Sequence, residues 1–509
     1  MTPTSWPTTD LCAKRAATTP DRMALVDGES GRQWTYRELD AAVASTARSL
    51  DLEPGAVVAT ILPTGPQFVV TTFALARLGA TGVLLSPDES VAELRTKTDQ
   101  TSLDCVVGAA ETESVAETLA TSSDVDHVTI GPIGDSESSN HQSTDVGERD
   151  QANPDRRIDP APLTPDHTQI VVFTSGTTGT PKGVRVTVAN LRASAMASGF
   201  RLGVDPSDRW LVPLPQHHMG GFAPIIRSAL YGTTVVTTQQ TGPADIARHV
   251  ETHRCTGLSV VPTMVRSLLE WGWEPPAHLR FVLVGGAPTP PELVTEALDA
   301  GVPLHPSYGA SEAASQIATA TPSQASRAPG SVGNPLFETD VRIVDHEGTP
   351  VDRGESGEVV VAGPTVSPGY LDPDQTTSSF TDGRFRTGDL GYRDDAGRLR
   401  ITGRQSDRII TGAETVDPAE VARVLRSHED IADAAVVGVP DKQWGERVAA
   451  ALVLEPGIDD FERQAFEAFC ANRLATHKRP RTIAVVEQLP RTDSGTVERN
   501  QLTERLGDE

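Results

Sequence analysis

The segment Thr174-Ser175-Gly176-Thr177-Thr178-Gly179-Thr180-Pro181-Lys182-Gly183 follows the apolar run Val171-Val172-Phe173 and is followed by Val184. A β run opening into a turn of this composition is where a phosphate-binding loop belongs. Three glycines (Gly176, Gly179, Gly183) let backbone N–H groups approach an anion closely, and five hydroxyls add donors. Lys182 adds charge. The loop is not a P-loop, because GxxxxGK[ST] needs a Gly-Lys pair and every lysine here follows Ala, Thr, Pro, Asp or His.

Around this loop lies a chain of 509 residues, room for about three domains by length. It carries 44 Lys+Arg against 69 Asp+Glu, a formal net charge of −25, and only five of the 44 cations are lysine. Such a field repels nucleic acid and anionic lipid, so neither is expected as a partner. An anionic small molecule then needs a local cationic site. Few lysines with abundant Asp is the composition expected of a cytoplasm at very high salt, where self-repulsion is screened. Cys12, Cys105, Cys255 and Cys470 have no CxxC or short Cys/His spacing, so neither a disulfide framework nor a zinc site is expected. The start MTPTSWPTTD lacks the basic and apolar regions of a signal peptide. The longest apolar stretch, Val69–Leu85, is broken by Arg77, so no membrane insertion is expected and the reading is a cytoplasmic protein.

Apolar spacing predicts helices over Tyr36–Leu50 and Phe68–Leu78 and strands over Ala56–Leu62 and Gly82–Leu85. Residues 130–162 are polar and nearly free of large apolar groups, a flexible surface insertion. Strand Gln169–Thr174 leads into the loop, and αβ alternation continues to about Ile317. Short strands Val341–Val344, Gly357–Val361 and Leu399–Ile401 form a β-rich part. Helix Pro418–Ser427, strands Ala434–Val439 and Arg447–Leu454, helix Phe461–Leu474 and strand Thr482–Val486 follow, an α+β unit of domain size. The fold class is therefore α/β: layered α/β sheets plus a β-rich subdomain over 1–403, then a small, mobile α+β domain over 404–509.

The loop resembles the signature loop of the acyl-adenylate-forming (AMP-binding) superfamily of acyl-CoA ligases, luciferases and peptide-synthetase adenylation domains, and the resemblance extends over nearly the whole chain. Gly285-Gly286-Ala287-Pro288 is similar to the turn that lies against adenine. Tyr308-Gly309-Ala310-Ser311-Glu312 resembles YGxTE with Ser for Thr, which implies an α-phosphate contact from Ser311 and a Mg²⁺ contact from Glu312. Arg386-Thr387-Gly388-Asp389 is similar to the ribose-binding segment, and Gly403-Arg404-Gln405-Ser406-Asp407 to the hinge, with Ser406 and Asp407 at the pivot. The resemblance implies that Thr174 to Gly179, Lys182, Asp389 and Arg404 hold nucleotide, with Lys182, Ser311, Glu312 and Arg404 as the catalytic set. Trp444-Gly445-Glu446 resembles a motif of the small domain and, with Lys478 in His477-Lys478-Arg479-Pro480-Arg481, implies a place for CoA. The implied activity takes a small carboxylic acid, ATP, Mg²⁺ and coenzyme A.

One position departs. The family's C-terminal loop PRTxSGK ends in a lysine that bridges carboxylate and α-phosphate, whereas this chain reads Pro490-Arg491-Thr492-Asp493-Ser494-Gly495-Thr496. Losing such a transition-state contact typically costs ~3–4 kcal/mol. Three readings stay open: Lys478, Arg491 or Arg499 takes its place, adenylation is slow yet sufficient, or the chain binds nucleotide or acyl-CoA without adenylating.

For the acid, the stretch Pro213 to Gly221 with Gln216-His217-His218, and Ser315-Gln316 after the Glu312 motif, resemble the o-succinylbenzoate–CoA ligase family of menaquinone biosynthesis. Gly220 and Gly412-Ala413-Glu414-Thr415 depart from it. o-Succinylbenzoate is a dianion, and its non-reacting carboxylate calls for Arg227 or Arg266, with Ser315 and Gln316 as donors. His218 and Gly221 then shape the acyl pocket, and His217-His218 lacks the further ligands a metal would need. A ligase for another aryl or medium-chain acid stays open. So does a homo-oligomeric state.

Overall fold

The computed structural model describes residues 9–133, 159–174, 181–411, 414–441, 444–458, 461–492 and 496–507. Residues 134–158 of the expected insertion lie outside this set, as do Ser175, Gly176, Thr177, Thr178 and Gly179 of the loop. The chain forms two compact units, Met1–Val341 with Val361–Arg386, and Arg342–Val360 with Thr387–Glu509.

The first unit holds two large sheets. In the six-stranded sheet the order is Asp126–Ile130, Cys105–Ala109, Val57–Ile61, Thr81–Leu85, Thr168–Thr174, Lys182–Thr187. Its first five strands are parallel, and the last closes an antiparallel hairpin in which Thr174 is the register partner of Lys182. The nine-stranded sheet runs Asn334–Pro335, Ser315–Thr319, Leu304–Ala310, Phe281–Val284, Gly257–Val260, Arg209–Val212, Thr234–Thr237, Met23–Asp27, Gln33–Thr35. Its centre is parallel and its outermost strands antiparallel. In open α/β sheets of this kind ligands bind beyond the carboxyl ends of the strands.

Local chemistry sets the helices. Thr35 and Glu38 make a capping box at the start of Tyr36–Leu50, and Asp51 ends it in the left-handed region at φ 43°. Pro66 starts Pro66–Leu78 and Gly79 ends it. Arg77, the charge that interrupts the apolar stretch, is buried and bonded to Asp10 at 3.1 Å and to Asp40. Helix Met219–Tyr231 is buried on nearly all sides, including Phe222, Ile225, Ile226 and Arg227. No helix among the described residues is long and apolar enough to cross a membrane.

The β-rich stretch forms a five-stranded sheet, Asp340–Val344, Gly357–Ala362, Arg384–Arg393, Phe380–Thr381, with Leu399–Arg404 also paired to Arg384–Arg393. In the second unit, helix Pro418–Arg426 and helix Arg463–Ala471 pack with Val436, Val448, Ala450 and Leu452 of a sheet built on Ile431–Asp441 and Gly445–Leu454. Leu502 and Leu506 of helix Arg499–Gly507 cover Val437, Ala449 and Ala451 on its other face. All four cysteines are buried as free thiols. Burial raises Cys12 far above the ordinary thiol range, with Asp10 and Asp40 adding to it; burial raises Cys255 to about 12 against the opposing charge of Arg209, and Cys470 to about 11 with Glu467 adding to it.

Candidate active site

The antiparallel hairpin of Thr168–Thr174 and Lys182–Thr187 pairs Thr174 with Lys182, the residues that flank the candidate loop. Beside it runs the segment 367–371: the Leu371 N–H donates to the Gly183 carbonyl at 2.7 Å, and the Arg185 N–H to the Gly369 carbonyl at 3.0 Å. The Ser367 N–H donates to the Glu312 carbonyl at 2.7 Å. Glu312 is buried at 8 % exposure, and its Oε1 accepts from the Tyr370 hydroxyl at 2.8 Å. The Lys182 ammonium stands over the Tyr370 ring, 5.1 Å from its centroid. The structure thus brings Lys182 and Glu312 to one aromatic side chain that the sequence motifs did not include.

Gly285, Gly286, Ala287 and Pro288 leave the carboxyl end of strand Phe281–Val284, and Tyr308-Gly309 lie at the corresponding end of its parallel neighbour Leu304–Ala310. Both turns therefore sit where a sheet of this type receives a ligand. Gly309 is required by close approach, since a Cβ there would stand 1.9 Å from the Ser315 carbonyl oxygen. Ser311 and Glu312 follow in a short 3₁₀ turn.

The acid-pocket candidates separate clearly. Arg227 is 1 % exposed, donates through Nη2 to Ser315 Oγ at 3.1 Å and lies 5.5 Å from the Trp210 ring centroid. Its Nε has no hydrogen-bond partner, and burial pulls its pKa down to about 10, so it stays protonated at neutral pH. Ala314 and Ser315 both adopt positive φ, 50° and 110°, a backbone cost of order 1–3 kcal/mol each that aims Ser315 at the arginine. Gln316 is buried, bonded through Nε2 to Thr319 at 2.7 Å, with Oε1 unpartnered. Arg266, by contrast, is exposed on helix Pro262–Glu270.

His218 caps helix Met219–Tyr231, its ring 4.3 Å from that of His217. Burial, then the charges of His218 and Lys97, lower His217 to about 3, and its Nε2 has no partner. A buried, neutral imidazole is therefore what the position offers. Gly221 lets that helix start against the chain, because a Cβ would meet the Pro215 carbonyl at 2.3 Å. Gln216 Nε2, His217 Nε2, Arg227 Nε and Gln316 Oε1 are buried polar atoms without a hydrogen-bond partner, which is uncommon in a folded interior.

In the second unit Asp389 and Arg404 are cross-strand partners, with Nε 3.0 Å from Oδ1. Ser406 donates to Asp407 at 3.3 Å, and Asp407 pairs with Arg499 at 2.9 Å. Trp444 carries the Arg481 guanidinium 4.3 Å from its ring centroid, and Gly445 follows at φ 78°. Thr496 is exposed, its N–H donating to Thr492 Oγ1 at 3.2 Å. Each cation considered as a replacement for the missing lysine is already engaged: Lys478 with Glu420 at 2.7 Å, Arg491 with Asp433 at 2.7 Å, and Arg499 with Asp407.

Residues 12–371 match the family model described as AMP-binding enzyme, and residues 420–496 that described as AMP-binding enzyme C-terminal domain. The chain is 36 % identical over 497 residues to a 2-succinylbenzoate–CoA ligase of Bacillus licheniformis, covering 96 % of this chain and 98 % of the relative. Among solved structures it is similar to o-succinylbenzoate CoA synthetase from Bacillus subtilis in complex with the acyl-adenylate intermediate OSB-AMP. That match has a TM-score of 0.85 and 33 % identity, over 97 % of this chain and 98 % of the other. The complex of the same Bacillus subtilis protein with ATP and magnesium ion matches at a TM-score of 0.84 and 33 % identity, over 97 % and 99 %.

Proposed function

The chain belongs to the AMP-binding enzyme family, and we propose that it is the ATP-dependent CoA ligase for o-succinylbenzoate, serving menaquinone synthesis in the cytoplasm. The substrate carboxylate attacks the α-phosphorus of ATP and the bond to pyrophosphate breaks, leaving an acyl-adenylate. The CoA thiolate then attacks the acyl carbon and AMP departs. The observation that carries the choice of acid is Arg227: a fully buried guanidinium with an unpartnered Nε, already sharing Ser315, suits the second carboxylate of a dianion.

In this reading Lys182 and the hairpin loop take the phosphates, and the turns at Gly285 and Tyr308 take the base. Asp389 takes the ribose beside Arg404, while Trp444, Gly445 and Lys478 receive CoA. Ser406 and Asp407 are the pivot of a mobile domain over 404–509, so that one site serves two half-reactions. Mg²⁺ fits Glu312, because this cation commonly binds one or two carboxylates plus substrate phosphates. Among the described residues no group of three or more His, Cys, Asp or Glu side chains offers an all-protein cage. When bound, the cation neutralises charge on the phosphate oxygens.

The test is pyrophosphate release in molar KCl with ATP, Mg²⁺ and CoA, comparing o-succinylbenzoate with benzoate and octanoate. Release confined to o-succinylbenzoate supports the assignment. Release with the other acids moves it to a broader aryl or medium-chain ligase. Silence with every acid, from folded protein that binds ATP, overturns the ligase reading in favour of a binding role, the outcome that Thr496 would explain.

A further inference from the structure

Tyr370 belongs to none of the sequence motifs, yet its surroundings over-determine where it sits. Ser367 is held from two sides, its N–H on the Glu312 carbonyl at 2.7 Å and its Oγ on the Arg185 carbonyl at 2.6 Å. Leu371 is held to Gly183, and Tyr370 itself bridges to Val184. The Tyr370 ring is 3 % exposed and meets Phe380 edge-on, centroids 5.5 Å apart at 75°. From that seat its hydroxyl reaches Glu312 Oε1 at 2.8 Å and its face receives the Lys182 ammonium at 5.1 Å.

One neutral side chain therefore touches both the carboxylate and the ammonium of the phosphate region. In a partly desolvated site opposite charges attract by several kcal/mol at about 4 Å. A direct pair between them would withdraw each from its ligand. The phenol occupies one acceptor site of the carboxylate and restricts its rotamer.

We infer that Tyr370 is a positioning residue for nucleotide activation: its hydroxyl orients Glu312 toward the divalent cation that accompanies ATP, and its ring keeps Lys182 for the phosphates. The inference rests on reading Glu312 as the cation-facing carboxylate. Tyr370→Phe removes the hydroxyl and keeps the ring, whereas Tyr370→Leu removes both.

The experiment is calorimetric titration of the full-length protein with ATP, once with Mg²⁺ and once in EDTA, together with Glu312→Gln. Tyr370→Phe is expected to weaken ATP binding about tenfold with Mg²⁺, the size of a lost hydrogen bond to a charged group, with the dissociation constant in EDTA within about twofold of the parent's. Tyr370→Leu is expected to weaken both. A Tyr370→Phe variant with the parent's gain from Mg²⁺ overturns the inference, and so does equal weakening in both conditions, which marks a merely structural role. If Glu312→Gln loses the gain while Tyr370→Phe keeps it, only the role of Tyr370 fails. If Glu312→Gln also keeps it, the reading of Glu312 fails.

Discussion

Lys478 holds Glu420 through both carboxylate oxygens, Nζ lying 2.8 Å from Oε1 and 2.7 Å from Oε2. Partly exposed pairs of this kind contribute about 0–1 kcal/mol, so the ammonium can be drawn to a ligand at small cost. Arg491 and Arg499 are also paired, and Thr496 offers only a hydroxyl. Thr496→Lys is expected to raise acid-dependent pyrophosphate release about thirtyfold or more, as a restored transition-state contact of ~2 kcal/mol or more would. No gain, or a loss, in the initial rate would show that another cation already serves.

Arg227 is expected to trade stability for recognition. Replacing it by Met removes a buried charge and its Ser315 bond, and the unfolding free energy should rise by about 1 kcal/mol or more. Removing the partner of a buried carboxylate typically costs 2–5 kcal/mol, so KM for o-succinylbenzoate should rise by about a hundredfold. Urea titration and steady-state kinetics read the two effects separately. A variant that is both less stable and unaltered in KM would show that Arg227 is a packing residue.

Gly309→Ala puts a methyl group 1.9 Å from the Ser315 carbonyl, in a turn with no slack. The expected cost is about 1–3 kcal/mol in stability, with a larger loss of kcat because Ser315 and Arg227 move together. Thermal unfolding and kcat measured on one preparation check this, and wild-type values for both would refute the close approach.

Acid should destabilise the protein in a defined window. Burial is the first cause that lowers His305 to about 4 and His217 to about 3. The unfolded chain binds a proton on each near pH 6.5 while the folded chain does not. Stability therefore rises with pH across about 4 to 6.5, by up to about 1.4 kcal/mol per pH unit for each histidine, and is complete above that window. His305→Asn should flatten the slope between pH 4.5 and 6.5 relative to the parent. An unchanged slope in urea titrations would assign the acid effect elsewhere.

Much of the scaffold is legible because it is written locally. The helix expected at Tyr36–Leu50 occupies those residues, with its capping box supplied by Thr35 and Glu38. The strand expected at Gly357–Val361 runs one residue further. The small unit's helix and strands follow their predicted order for the same reason: periodicity of 3.6 or 2 against a single core. The site is less legible because it is assembled over long separations. Nothing beside Arg227 in sequence shows that Trp210 and Ser315 enclose it. Tyr370 meets Glu312 across 58 positions through a segment whose anchors lie near Gly183. A conformational signal was also hidden, since positive φ at Ala314 and Ser315 has no glycine to announce it.

The four buried cysteines bear on the second half-reaction. A protein that handles a free thiol invites mixed disulfides, and the exchange needs an accessible thiolate. Here burial keeps every cysteine out of reach, and Cys12, Cys255 and Cys470 stay in the thiol form. The catalyst is thereby insulated from the redox state of its own co-substrate, and oxidised CoA should leave it unmodified. The same insulation makes the native protein silent toward a thiol-reactive dye, so the disappearance of the CoA sulfhydryl can be followed directly as it is consumed.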